Sequence, residues 1–436
     1  MNQPATQPEV TIIEGARPLG GDPVDVVIRD GVIESIRTPG DASDPHARIV
    51  RGEGLVLLPG LVDLHTHLRE PGREDAETIR TGSAAAALGG FTAVHAMANT
   101  SPVTDTAGVA IQVWRQGRAA GYVDVRPVGA VTVGLEGKRL AGLGAMADSA
   151  AGVRVFSDDG RCVADPLRMR RALEYVKAFD GVIAQHAQDH RLTENAQMHE
   201  GVVSAELGLE GWPAAAEESI IARDILLADH VGSRLHICHV STAGSVELIR
   251  FAKQRGLRVT AEVTPHHLML TDETARTYDP VYKVNPPLRT QADVDALRAG
   301  LIDGTIDIVA TDHAPHTHDD KTCEWDVAAF GMLGLPTALS VVIATVGDGL
   351  GWDGIADRMS TVPARIGRMT DQGRPIAIGE PANLTLVDPD ARWIVRAADF
   401  PGPSRNCPYE GMELPGKVVA TFYRGTATVL DGELQW

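Results

Sequence analysis

Histidine and aspartate recur where runs of apolar residues stop. His65-Thr66-His67 follows one such run, Asp158-Asp159 another, and His186, His239 and Asp312-His313 close three more. Side chains two apart on an extended strand point to the same face, so the imidazoles of His65 and His67 present together. Two imidazoles on one face suit zinc or a similar divalent cation. An isolated His-x-His pair carries little weight. Four histidines and two carboxylates, each group ending a separate apolar run, point to a metal centre gathered from distant parts of the chain. His236 lies inside its run rather than at the end and is expected to be structural, and His95 is expected to pack. His190, His199 and His230 fall in helix or loop and are expected at the surface.

Such a centre needs a scaffold that brings strand ends together. The middle of the chain alternates strand-like and helix-like segments. Eight candidate strands stand at 61–64, 92–96, 123–128, 153–156, 182–184, 235–240, 259–263 and 306–310. Helical patterns lie between most of them, for instance at 169–179, 215–228 and 244–254. Eight strand–helix units make an α/β fold of the (β/α)8 TIM-barrel type, whose active sites lie at the C-terminal ends of the strands. Both chain ends read differently. Strand-like segments 24–29 and 32–37 flank Asp30-Gly31, a strong hairpin signal. Segments 384–387, 392–395 and 418–423 are also strand-like, and Asp431-Gly432 marks another turn. The expected organisation is a barrel over 59–375 and one small β-sandwich built from 1–58 and 376–436.

The stretch Asp63-Leu64-His65-Thr66-His67-Leu68-Arg69-Glu70-Pro71-Gly72 resembles a signature of the dihydroorotases, which belong to the amidohydrolases. Ile308-Val309-Ala310-Thr311-Asp312-His313-Ala314-Pro315-His316 resembles their second signature. Phe156-Ser157-Asp158-Asp159-Gly160, Cys238-His239-Val240-Ser241-Thr242 and Asn285-Pro286-Pro287-Leu288-Arg289 are similar to further family stretches, in order along the chain. The resemblance implies zinc-dependent, reversible hydrolysis of dihydroorotate to N-carbamoyl-L-aspartate, with ring closure serving pyrimidine synthesis. It implies two zinc ions, one held by His65, His67 and Asp312 and the other by His186 and His239. Many relatives bridge the metals with a carboxylated lysine after strand four. This strand carries Arg154 and no lysine, and the family type resembled uses an aspartate that matches Asp159. Asp158 is then read as a turn residue before Gly160.

The resemblance further implies that Asp312 moves the proton. Arg69, Asn99 and His316, beside His67, would bind the substrate carboxylate, which suits a planar, permanently charged guanidinium. Asn285 and the backbone of Phe330-Gly331 would contact the ring, with His266 and His267 as support near the rim. One departure is Met97-Ala98-Asn99-Thr100, where the family usually has Met-Pro-Asn-Thr. The nearest alternative is another cyclic amidase, a dihydropyrimidinase, hydantoinase or allantoinase. Those substrates lack the ring carboxylate, and those relatives usually keep the lysine. A second alternative is an inactive structural partner of aspartate transcarbamoylase, which should have lost metal ligands.

The chain of 436 residues has a formal net charge of −18, which repels nucleic acid and anionic membrane surfaces. No basic stretch followed by an apolar run opens the sequence, and no signal peptide is expected. No continuous run of about 18 apolar residues is seen, so no membrane span is expected. Cys162, Cys238, Cys323 and Cys407 form no CxxC pair, which fits a reducing cytoplasm. A small-molecule substrate and a homodimer are expected, with aspartate transcarbamoylase as a possible partner.

Overall fold

The computed structural model describes residues 10–435. The expectation of no signal peptide rests mainly on residues 1–9, which lie outside the described residues. Eight parallel strands appear in the middle of the chain: Leu61–Thr66, Phe91–Ala96, Asp124–Pro127, Val155–Phe156, Val182–Gln185, Leu235–Ile237, Val259–Val263 and Ile308–Val309. The first three form one sheet and the last five another, each with neighbours in chain order. Isolated parallel bridges Gly129↔Phe156 and Thr66↔His313 join the margins of the two sheets.

The period-two alternation of these strands sorts their side chains between two clusters. Val62, Leu64, Val182, Ala184, Ile308 and Ala310 share one buried cluster with Ile366 and Met369. Their alternates Leu61, Ile183 and Val309 face the cluster that contains the surrounding helices. The helices start on side-chain caps: Thr78 before Ile79–Leu88, Asp165 before Pro166–Val176, Thr242 before Ala243–Gln254 and Thr290 before Gln291–Asp303.

Strands six and eight are shorter than the apolar runs suggest. Leu235–Ile237 stops before His239, and Ile308–Val309 stops before Asp312. The reason is local. His239 has φ 31° and Asp312 φ 47°, left-handed values that leave the ladder. Non-glycine residues seldom adopt them, and where they occur the surroundings hold them in place. The chain departs from the strand where its polar side chains turn inward.

Strands from both chain ends join in one nine-stranded mixed sheet, where Val56–Pro59 pairs antiparallel with Leu384–Val387. The Asp30-Gly31 hairpin forms with φ 51° and 81°. Hydrogen bonds run continuously through this sheet, and Ile13, Val26 and Ile28 of its N-terminal part share a buried cluster with Leu384, Leu386 and Phe422 of its C-terminal part. Segments 384–387 and 392–395 are arms of one strand, Leu384–Ile394, interrupted between Asp388 and Arg392.

The sequence contains one segment that was not expected. Leu335–Ile366 is helical and, by length and composition, apolar enough to cross a membrane. Its backbone breaks at Gly351. The face that includes Leu339, Val342 and Val346 belongs to the main core cluster, and Ser340 Oγ donates to Gly416 O of the terminal sheet, as a core helix does.

Candidate active site

Five strand ends converge on one buried carboxylate. Asp159 Oδ1 lies 3.3 Å from His65 Nε2, 3.2 Å from His186 Nδ1 and 3.4 Å from His239 Nε2, and Oδ2 lies 3.3 Å from His67 Nε2. Asp312 Oδ1 stands 3.0 Å from His67 Nε2 and 3.4 Å from His65 Nε2. Two triads with metal-ligand geometry result, His65/His67/Asp159 and Asp159/His186/His239, and Asp159 is common to both. Burial alone would lower the His65 imidazole, yet Asp159, Asp312 and Glu262 raise it well above its ordinary value. Burial likewise opposes ionisation of Asp312, but His65 and His67 bring its carboxyl down to about 2. Buried carboxylates this close call for positive charge between them. His65 Nε2 is buried with no hydrogen-bond partner, and with Nδ1 against Glu262 Oε1 it is the ring nitrogen turned toward the cluster. The donor set of imidazoles and carboxylates fits zinc or another divalent first-row ion.

A third triad, His65/Cys238/Glu262, has similar spacing. It is better read as support. His65 Nδ1 is 2.6 Å from Glu262 Oε1, and burial pushes the Cys238 thiol upward, keeping it neutral. Glu262 Oε2 also meets His236 Nε2 at 2.9 Å. A carboxylate behind a ligating imidazole fixes its tautomer and orientation. Sequence reading missed Glu262, which takes an alternate polar position in the strand Val259–Val263 and there looks like an ordinary outward-facing residue. It also missed Asp63, whose Oδ1 accepts the His65 backbone N–H at 2.9 Å and whose two oxygens accept Thr311 N–H at 3.2 and 3.1 Å. Asp63 thereby ties the strand-one and strand-eight ligand segments together.

The candidate substrate residues gather beside this cluster. Arg69 has φ 60°; its Nε donates to Pro315 O at 2.9 Å and Nη2 lies 3.3 Å from His316 Nε2. His316 Nε2 sits 2.7 Å from Phe330 O and so carries the proton it donates there. Burial first, and the Arg69 guanidinium next, push this imidazole down to about 3, so it is neutral at neutral pH. Asn99 Oδ1 meets His67 Nδ1 at 2.9 Å, an orienting contact that sequence reading did not assign. Asn285 Oδ1 is buried and unpartnered. The Phe330-Gly331 backbone lies close by, but Gly331 N–H donates to Lys283 O at 2.9 Å and Gly331 O accepts from Asn406 Nδ2 at 3.1 Å.

Most of the remaining polar residues face other partners. Asp158 accepts Val131 N–H at 2.8 Å, Thr132 N–H at 2.9 Å and the Thr132 hydroxyl, so it organises the loop after strand three. His313 faces Glu77, with Nε2 3.2 Å from Oε1. His95 is buried against Asp63 O, and burial brings it down to about 4. His230 is exposed, and His190 Nε2 accepts Cys162 N–H at 3.1 Å. His199, expected at the surface, instead contacts the fully buried Arg289 at 3.1 Å through Nδ1. His267 is held by Thr264 and Pro286 O, while His266 Nε2 is buried without a partner.

A family model described as Dihydro-orotase-like matches residues 54–245. A dihydroorotase from Streptomyces coelicolor is 68% identical over 426 residues, 97% of this chain and 99% of that protein. One from Mycobacterium tuberculosis is 58% identical over 427 residues, 97% of this chain and 99% of that protein. Among solved structures, an L-hydantoinase (dihydropyrimidinase) from Arthrobacter aurescens superposes with TM-score 0.86 at 25% identity, covering 98% of this chain and 97% of its own. A dihydropyrimidinase from Brevibacillus agri gives 0.84 at 22% identity, covering 98% and 96%.

Proposed function

The chain belongs to the dihydroorotase family and is a hydrolase of a cyclic amide; from that premise we propose a binuclear zinc enzyme of the aspartate-bridged kind, working on dihydroorotate through the residues gathered around Asp159. The observation that carries this reading is the single Asp159 carboxylate shared by two histidine triads. A bridging lysine has no place here: the basic residue of strand four, Arg154, turns away to donate to Ala147 O and Val153 O. We further read the eight parallel strands as a closed (β/α)8 ring over 59–375, with 1–58 and 376–436 forming the accessory β domain. The two isolated bridges between the sheets support closure.

When bound, divalent cations would supply Lewis acidity to the ring carbonyl and would lower the pKa of a water at the site. The protein's own side chains do the rest. His65, His67 and Asp312 would hold one cation, His186 and His239 the other, and Asp159 would be shared by both. Arg69, with Asn99 and His316 beside it, receives the ring carboxylate. Asn285 Oδ1 accepts a ring N–H, and Phe330-Gly331 lines the ring's far side. Asp312 takes the water's proton and delivers it to the departing amide nitrogen. Dihydroorotate carries one carboxylate and carbamoyl aspartate two, so opening releases a proton and closure, the biosynthetic direction in pyrimidine synthesis, consumes one.

The hydantoinase-like architecture leaves uncharged cyclic amides as the alternative substrates, and Arg69 separates the readings. Arg69→Met should lose on the order of 30–5,000-fold in kcat/KM on dihydroorotate, the equivalent of roughly 2–5 kcal/mol for removing one partner of a buried charged pair. Its turnover on hydantoin or dihydrouracil should change little. Equal losses on all three substrates, measured side by side, would give Arg69 a structural role and remove the basis for substrate choice.

Glu262 supplies a second check. Glu262→Leu should weaken metal retention roughly 10–100-fold, because His65 loses the acceptor that fixes its ring. Metal content after graded dialysis reads this directly. Retention equal to that of the parent protein would mean that His65 is held by packing alone.

A further inference from the structure

Two residues beyond His186 the chain places Gln188, a buried amide that reaches both the metal cluster and the proposed ring contact. Its hydrogen bonds can be read in one direction only. Thr193 Oγ1 donates its proton to Asp189 O at 3.1 Å. That hydroxyl therefore accepts from Gln188, whose Nε2 lies 2.7 Å away. The Gln188 carbonyl oxygen is thus turned the other way, toward His186 Nε2 at 2.8 Å and Asn285 Nδ2 at 3.3 Å. A carbonyl oxygen only accepts, and it has two lone pairs for two donors. His186 must then carry its proton on Nε2. Its bare nitrogen is Nδ1, the atom 3.2 Å from Asp159 Oδ1 and 2.9 Å from His239 Nε2. Asn285, committed through Nδ2, must present Oδ1, which is buried and unpartnered.

We propose that Gln188 is a positioning residue: its one carbonyl oxygen sets the His186 tautomer toward the second cation position and the amide polarity of Asn285 toward the substrate ring. The inference rests on the two-cation reading of the site. It adds a physical link between cation binding at His186 and acceptance of a ring N–H by Asn285. Without Gln188, the His186 ring can present either nitrogen, and the Asn285 amide can rotate to offer a donor where the ring also offers one. Thr193 belongs to the same device, since its committed hydroxyl stops Gln188 from turning over.

The test compares Gln188→Met, which keeps the shape and removes the acceptor, with Gln188→Glu, which keeps an acceptor facing both partners. Zinc content after dialysis and KM for dihydroorotate in excess zinc are measured for each. Gln188→Met should retain zinc roughly 10–100-fold less tightly at one of two positions, the usual cost of losing an outer hydrogen-bond partner of a ligand. Its KM should stay about tenfold raised even when excess zinc restores kcat, because Asn285 has lost its fixed polarity. Gln188→Glu should recover most of both quantities. A Met variant with the parent's zinc content and KM overturns the proposal, as does a Glu variant impaired to the same extent as Met. Should Gln188→Met fail to fold, Thr193→Val provides the same two readouts, and parent-like values there overturn the proposal equally. His186→Ala is the control for the underlying site. If it keeps the parent's zinc content, the two-cation reading itself fails. If it loses one equivalent while Gln188→Met loses none, only the Gln188 inference falls.

Discussion

Asp159→Ala is expected to fold yet lose turnover and most of its bound metal, whereas its neighbour Asp158→Ala is expected to keep its metal and unfold more easily. The two carboxylates are adjacent in sequence and both buried, but they serve different partners. Asp159 faces four imidazoles within 3.4 Å. Burial opposes its ionisation, and His65, His186 and His239 hold it well below the usual carboxylate range all the same. Two cations only about 3.5–4 Å apart repel each other unless an anion lies between them. Asp158 instead holds two backbone N–H groups and a hydroxyl of residues 131 and 132. Removing it leaves buried donors unmet, at about 1–3 kcal/mol each. Metal analysis and thermal melting of both variants separate the two roles. Metal loss in Asp158→Ala with retention in Asp159→Ala would exchange the assignments.

The sequence exposed these candidate ligands because each ends an apolar run, and a buried polar group at a strand end needs a partner that the strand itself does not supply. The same logic located the eight strands, yet carried strand six past His239, where the backbone is left-handed, and placed the end of strand eight at Ala310 instead of Val309. Orienting residues were harder to see. Glu262 sits inside a strand whose alternation reads as ordinary, and its meaning depends on His65, which is 197 residues away. Gln188 is an uncharged amide whose role exists only once Thr193 and Asn285 are brought beside it. His313 carries the same chemical potential as Asp312, but the turn at φ 47° sends it to Glu77. Spacing cannot foresee which of two adjacent residues such a turn directs inward. The terminal strands were legible from hairpin turns. How the two chain ends join depends on the pairing of Val56–Pro59 with Leu384–Val387, a long-range register with no local signal.

Asp312→Asn should keep most of its metal while losing about 10²–10⁴-fold in turnover, the usual worth of a positioned general base. The carboxylate has two jobs that this change separates. One oxygen, 3.0 Å from His67 Nε2 and 3.4 Å from His65 Nε2, stands where the proposed cation between those rings would bind, and an asparagine carbonyl can still occupy that place. The other job needs a negative charge. With its carboxyl at about 2, Asp312 is ionised throughout the neutral range, the state that the proposed role of proton acceptor in hydrolysis requires. Its folded-state value is depressed, so the charged form is lost only as pH falls toward it, and hydrolysis should decline on the acid side. Groups this closely coupled show one shared apparent pKa rather than separate steps. Asp312→Ala should lose metal and turnover together, since neither oxygen remains. Metal content measured alongside pH–rate profiles distinguishes the three proteins. A fully metallated Asp312→Asn enzyme with near-normal turnover would mean that another group carries the proton. His316 is poorly placed for that task, because its Nε2 is committed to Phe330 O and burial beside Arg69 keeps it neutral. His266 would come first instead: its Nε2 is buried and unpartnered, and burial holds it neutral at about 4, within the influence of Asp312, His239 and His65.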